Sequence, residues 1–345
     1  MLCHPTLLSG GIATNRHIAV LYVLKGVSET NMANSTVKPV DKLSFSYRFK
    51  SDMKRNYPLY LLLIPVIAYY IIFCYKPMYG AIIAFKEFQP RLGVMGSPWV
   101  GFAQYEKFFA NPDFVRILKN TLVISITSIV FGFPAPIILA LLFNELKIQK
   151  FKSVAQTISY LPHFISLVVV CGLIKTFVSQ GGIVYQLVVA LGGKEMGLLS
   201  RPECFVPIYV LSGIWQEIGW GSIIYLAALA GIDQELYEAA KIDGANRWKQ
   251  VIHVTLPGIA PTIIIMLILR MGSLLSVGYE KIILLYNSLI YETSDVISSY
   301  VYRVGLNQQS WSYSSAVGLL NSVVNFIIIM ITNKISAKYS ETSLW

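Results

Sequence analysis

Charged side chains are scarce enough in this chain to be weighed one by one. Glu217 is flanked by Trp215, Gln216 and Trp220 inside a long apolar run. A carboxylate beside aromatic faces suits a polyhydroxylated ligand, whose hydroxyls bond to the oxygens while the apolar ring face stacks. Arg270 and Lys175 lie in two other apolar runs. Charges in such runs usually face a bundle interior or a water-filled cavity, although Lys175 is near enough to its run's end to extend its amine into water. A structural reading competes: Glu217 pairs with Arg270 or another helix, the tryptophans mark an interface, and Gly213, Gly219 and Gly221 only let helices approach. Patterns for covalent or metal chemistry are missing. Gly193-Lys194 has Val188 and Glu195 where a phosphate-binding loop needs glycine and Ser/Thr. The four histidines (His4, His17, His163, His253) and four cysteines (Cys3, Cys74, Cys171, Cys204) are scattered, so neither a metal site nor a disulfide framework is indicated. The chain is therefore expected to be no enzyme and to carry no cofactor.

A second polar constellation has stricter spacing. Residues 238–257 read EAAKIDGANRWKQVIHVTLP between two apolar runs. Polar backbone and side chains of this density must lie in water or against a water-side partner. Asp233 can cap a first short helix and Gly244 can end it in the left-handed conformation glycine tolerates. Asn246 can cap a second helix, in which Trp248, Val251, Ile252 and Thr255 recur at helical spacing. Pro257 is placed to stop or bend the chain.

The elements that must position these groups are membrane spans. The chain has 345 residues, 55% hydrophobic and 13% charged, about half the charge of an average soluble domain. Its net charge of +10 is read as topology signal and contact with anionic lipid rather than nucleic-acid binding. Six runs near the length needed to cross a bilayer are predicted at 57–75, 121–143, 158–178, 205–230, 259–277 and 314–332. Residues 1–56 form a polar tail, with Lys38, Lys42, Arg48, Lys50, Lys54 and Arg55 just before the first span. Met32 is a plausible start of translation, which would leave 1–31 untranslated. An even span count puts both termini on one side, with residues 333–345 as a second tail. Basic residues favour that side as cytoplasmic. The 238–257 loop, between the fourth and fifth spans, then also lies in the cytoplasm. In the long loop after the first span, 99–114 reads as a turn and an amphipathic helix. Pro134, Pro136 and Pro162 sit inside spans, where they free backbone groups that neighbours must satisfy.

Glu238-Ala239-Ala240, Gly244 and Leu256-Pro257 at this spacing resemble the EAA loop of binding-protein-dependent ABC importer permeases, with Val254 where the family usually has isoleucine. The stretches Tyr75-Lys76-Pro77-Met78-Tyr79-Gly80 and Ile83-Ala84-Phe85-Lys86-Glu87-Phe88 look like the first-span exit of the carbohydrate (MalF-like) family, in its polysaccharide-type branch. The resemblance covers the chain from about Lys54 onward. It implies an all-α polytopic membrane protein of six transmembrane helices, with a cytoplasmic coupling loop between helices 4 and 5. It further implies a non-catalytic subunit in a bacterial cell membrane that takes up oligosaccharides or polysaccharide fragments by alternating access. A second permease, an ATP-binding cassette dimer holding ATP and Mg, and an extracytoplasmic sugar-binding lipoprotein are the partners it implies. Two alternatives remain on the sequence: a secondary active transporter without an ATPase, which should show internal repeats, and an importer of a non-sugar solute. A membrane enzyme or structural anchor is the third class, and it would need the catalytic groups that are missing.

Overall fold

The computed structural model describes residue 49, residues 52–340 and residues 342–344. Cys3, His4, His17, Met32 and most of the basic N-terminal run lie outside the described residues. The chain divides into two units, residues 1–75 and 76–345. In the first, Asp52 accepts from Asn56 Nδ2 and Tyr60 Oη, both at 2.7 Å. These bonds brace the start of the Tyr57–Tyr69 helix, which passes into a π-turn at Tyr70–Tyr75.

Among the described residues the fold is helical, with one isolated antiparallel bridge between Lys86 and Trp99. Five helices are long and apolar enough to cross a membrane: Tyr57–Phe85, Phe114–Glu145, Leu167–Ala190, Arg247–Met271 and Trp311–Ser340. The remaining predicted run, the fourth, corresponds to the Pro202–Ala230 helix, which has 29 residues. It has the length but not the uniform hydropathy, because it carries Gln216, Glu217 and several glycines.

Proline chemistry redraws the predicted 158–178 span. A short helix, Gln149–Tyr160, ends in a 3₁₀ turn over Leu161–Phe164 that contains Pro162. The long helix starts only at Leu167 and is interrupted at 179–182 before resuming at Ile183. Pro134 opens a new helical segment just after a π-turn at Ser128–Gly132. The last helix continues past residue 332, through the start of the expected tail, to Ser340.

The Pro202–Ala230 helix is the hub of the second unit. Two of the three buried apolar clusters rest on it: Phe205 packs with Val170, Ile282 and Val296, and Tyr225 and Leu229 pack with Ile137, Ala140 and Ile259. Gly219 lets the Gln149–Tyr160 helix touch it, since a Cβ there would overlap the Ser159 carbonyl.

The segment between the Arg247–Met271 and Trp311–Ser340 helices is clamped by a buried carboxylate. Asp295, fully buried, pairs with Arg303 at 2.6 and 3.0 Å, with Arg116 3.8 Å away. Ser299 Oγ donates to Asp295 Oδ1 at 2.9 Å, and Asn120 Nδ2 donates to the carbonyls of Glu292 and Asp295. These bonds tie residues 292–303 to the first turns of the Phe114–Glu145 helix.

Candidate functional site

The central cavity, of about 700 Å³, opens beside the Pro202–Ala230 helix. Its walls come from Ser128, Gly132, Phe133, Pro136, Leu167, one side of the helix between Tyr209 and Tyr225, Met266, Arg270, Gly278 and Lys281. The π-turn and Pro136 therefore face the cavity, in keeping with the tendency of irregular helix geometry to mark working sites.

Three of the four candidates named from sequence meet here: Glu217, Trp220 and Arg270 all line the cavity. Trp215 does not. It lies in a separate apolar groove with Leu173, Phe177 and Leu211, because two residues along a helix is roughly a 200° rotation from Glu217. Glu217 pairs with neither Arg270 nor Lys175. Its Oε2 is 2.9 Å from His163 Nδ1, and the His163 ring stacks on Trp220 with centroids 4.5 Å apart and planes 1° apart. The 3₁₀ turn at Leu161–Phe164 is what brings His163 across.

Lys281 and Tyr209 also line the site and were missed from sequence. Lys281 is buried; its Nζ donates to the Tyr209 carbonyl at 3.1 Å and sits 4.9 Å above the Tyr209 ring. Burial pushes its ammonium pKa down to about 8, against the opposing pull of Glu217. The only sequence signal was a lone lysine before the apolar Ile282–Leu285. Arg270 and Lys281 give the cavity two cations against one carboxylate, and that carboxylate is held by an imidazole. Such a lining favours an anionic, hydroxyl-rich ligand that can stack on Trp220.

The second site is the polar loop. Asp233 Oδ1 accepts from Glu235 N at 3.0 Å, and Asn246 Oδ1 accepts from Lys249 N at 2.9 Å. Both cap the helices expected of them, Gln234–Ile242 and Arg247–Gln250. Gly244 takes φ +75°, and Ala245 N donates to Ala240 O at 2.9 Å, a Schellman-type closure. Pro257 does not stop the chain: Arg247–Met271 is one continuous helix, widened by a π-turn at Val251–Thr255. Proline is tolerated at the start of the segment that follows, where it removes no required bond.

Two ties fix the loop to its subunit. Arg247 Nη1 is 2.7 Å from Glu145 Oε2, and Tyr237 Oη is 3.1 Å from the buried Thr255 Oγ1. Glu238, Ala239 and Gly244 are exposed, Ala240 and Leu256 half-buried, and Pro257 exposed. The loop also bares large apolar side chains, Ile242 at 87% and Trp248 at 77% exposure. Ala239, Ala240 and His253 flank a groove of about 530 Å³ between the two helices. Exposed apolar groups around a concave groove are the character of an interaction surface.

Comparison with known proteins adds the following. The family model described as "Binding-protein-dependent transport system inner membrane component" matches residues 125–340. Protein LplB of Bacillus subtilis (strain 168) is 46% identical over 294 residues, 85% of this chain and 92% of that one. The polygalacturonan/rhamnogalacturonan transport system permease protein YteP of the same organism is 43% identical over 288 residues, 83% of this chain and 90% of that one. Among solved structures, a chain of a bacterial alginate ABC transporter, in complex with an alginate pentasaccharide-bound periplasmic protein, superposes with a TM-score of 0.79 at 43% identity. That match covers 86% of this chain and 100% of the other.

Proposed function

Because the chain belongs to the family of binding-protein-dependent transport inner membrane components, and is a multi-pass membrane protein, we propose that it is one permease subunit of an ATP-driven importer of acidic oligosaccharides. The observation that carries the substrate class is the cavity where Arg270 and Lys281 face Trp220 and the His163-held Glu217. Two of its relatives are named for transport of polygalacturonan/rhamnogalacturonan and of alginate, which supports the same reading.

In this reading six helices cross the membrane, the Pro202–Ala230 helix included, and both termini lie in the cytoplasm. A second permease completes the pathway. A pair of ATPase subunits binds ATP and Mg and docks on the loop through Glu238, Ala239, Ala240 and Gly244, with Leu256 and Pro257 leading into the following helix. An extracytoplasmic sugar-binding lipoprotein delivers the substrate. This subunit performs no covalent chemistry; it alternates the cavity between the two faces of the membrane.

The substrate reading is tested by charge removal. Arg270→Gln and Trp220→Ala should each raise KM for oligogalacturonate uptake in vesicles while ATPase recovery stays unchanged. Losing one charge-assisted hydrogen bond, about 1.5–3 kcal/mol, corresponds to roughly tenfold or more in affinity. Trp215→Ala should transport normally, since its ring faces another groove. Wild-type kinetics for both Arg270→Gln and Trp220→Ala would remove the cavity from the pathway.

Topology is tested by labelling in a cysteine-free background. Cysteine at Gln149 or Lys249 should be protected from impermeant thiol reagents added outside. Cysteine at Lys194 or Asn307 should react. Outside labelling at Lys249 would place the loop on the wrong side for an ATPase.

A further inference from the structure

A groove of about 450 Å³ lies between the Trp311–Ser340 helix and residues 297–306. It shares no lining residue with the central cavity. No charged side chain lines it, in contrast to the Arg270, Lys281 and Glu217 of that cavity.

Its chemistry is that of a stacking platform edged with hydroxyls. Tyr279 and Tyr302 stack with centroids 5.7 Å apart and planes 25° apart. Trp311, 37% exposed, stands at the start of the last helix beside them. Among the described residues, neither tyrosine hydroxyl nor Ser315 Oγ has a hydrogen-bond partner. Gly318 opens the groove floor: a Cβ there would meet nothing within 4 Å.

The groove and the cavities on the Arg270 side are separated by one stretch of chain. Ser276 and Gly278 line the Arg270 side, whereas Tyr279, the next residue, lines the groove. That wall is held by the buried amide of Asn325, which accepts from Leu275 N at 3.0 Å and donates to Ser276 Oγ at 2.9 Å.

We propose that this uncharged aromatic groove is a second carbohydrate subsite, holding a sugar unit of the oligosaccharide by ring stacking and hydroxyl bonds while the central cavity reads its charge. The proposal rests on the acidic-oligosaccharide reading above. In the proposed topology the groove lies toward the outer face, where substrate arrives. Aromatic rings supply affinity without selecting charge, so the groove serves units of either kind, and its contribution appears only with chains long enough to reach it.

The test uses the whole complex, purified through a tag on this chain and reconstituted with its binding protein. Gly318→Leu places a side chain on the open groove floor, and Trp311→Ala removes its platform. With galacturonate oligomers as probes, both variants should raise KM for the pentamer about tenfold and leave the dimer unaffected. Trp311→Phe should restore the pentamer value. Wild-type kinetics on every length for Gly318→Leu and Trp311→Ala, with the wild-type complex transporting, would overturn the subsite alone. Loss of the second permease from the Gly318→Leu complex would overturn it too, by making the groove a subunit interface. Failure of the wild-type complex to transport any acidic oligomer would remove the substrate reading and this proposal together.

Discussion

Gly244→Asp is expected to leave the subunit inserted and folded and to abolish uptake. Gly244 sits at φ +75° with open space around its Cα. An added Cβ therefore meets nothing in its own chain. Left-handed backbone costs a non-glycine residue about 1–2 kcal/mol, and Asp is among those that accept it best. That strain is a small part of a stability of about 5–15 kcal/mol, so unfolding cannot account for a complete loss. What the substitution does change is the exposed surface between Ala240 and Trp248, where a carboxylate would project into any docked partner. Co-purified ATPase, binding-protein-stimulated hydrolysis and uptake in vesicles are the three readouts. Glu238→Ala should show a milder form of the same defect. Wild-type values of all three for Gly244→Asp would end the docking assignment.

Asp295→Ala should produce the largest loss of stability available from a single polar side chain in this subunit. The carboxylate is fully buried and accepts from Arg303 and Ser299. Removing it leaves Arg303 without its counter-charge, whereas Arg116 keeps Asp113 at 3.0 Å. Breaking a buried pair from one side costs about 3–5 kcal/mol, more than the pair itself contributes. The expected result is a marked fall in Tm of the detergent-solubilised complex and poor recovery of the subunit. Asp295→Asn, which can still accept from Ser299, should fall between the two. An unchanged Tm for Asp295→Ala would mean the 292–303 segment is held by its apolar contacts alone.

Local chemistry was the part legible in advance. The two caps and the Gly244 turn depend on side chains within three residues of the groups they serve, so Asp233, Asn246 and Gly244 could be read without knowing the fold. The cavity needed contacts that spacing does not encode. His163 lies 54 residues from Glu217, and Lys281 reaches a carbonyl 72 residues away. Two misplacements have different causes. A span read from apolar content alone runs straight through Pro162, whose turn is set by backbone chemistry. Adjacency in the chain sets Trp215 beside Glu217, although the two point to different sides of one helix. Gln216 and Glu217, which lower the hydropathy of the Pro202–Ala230 helix, both line the cavity.

The unbroken Arg247–Met271 helix has a mechanical consequence. Trp248, bare on the loop, and Arg270, in the cavity wall, belong to one rod, separated by about 33 Å at 1.5 Å per residue. Ile259, fully buried against its neighbours, lies midway between them. Thr255 and Ile268 are buried on the same helix as well, so the rod is held at several points, and a displacement at the loop reaches the guanidinium only if those contacts move with it. Under the proposed function, the coupling of nucleotide to sugar then depends on the stiffness of that one helix, whose regular geometry is interrupted by the π-turn at Val251–Thr255.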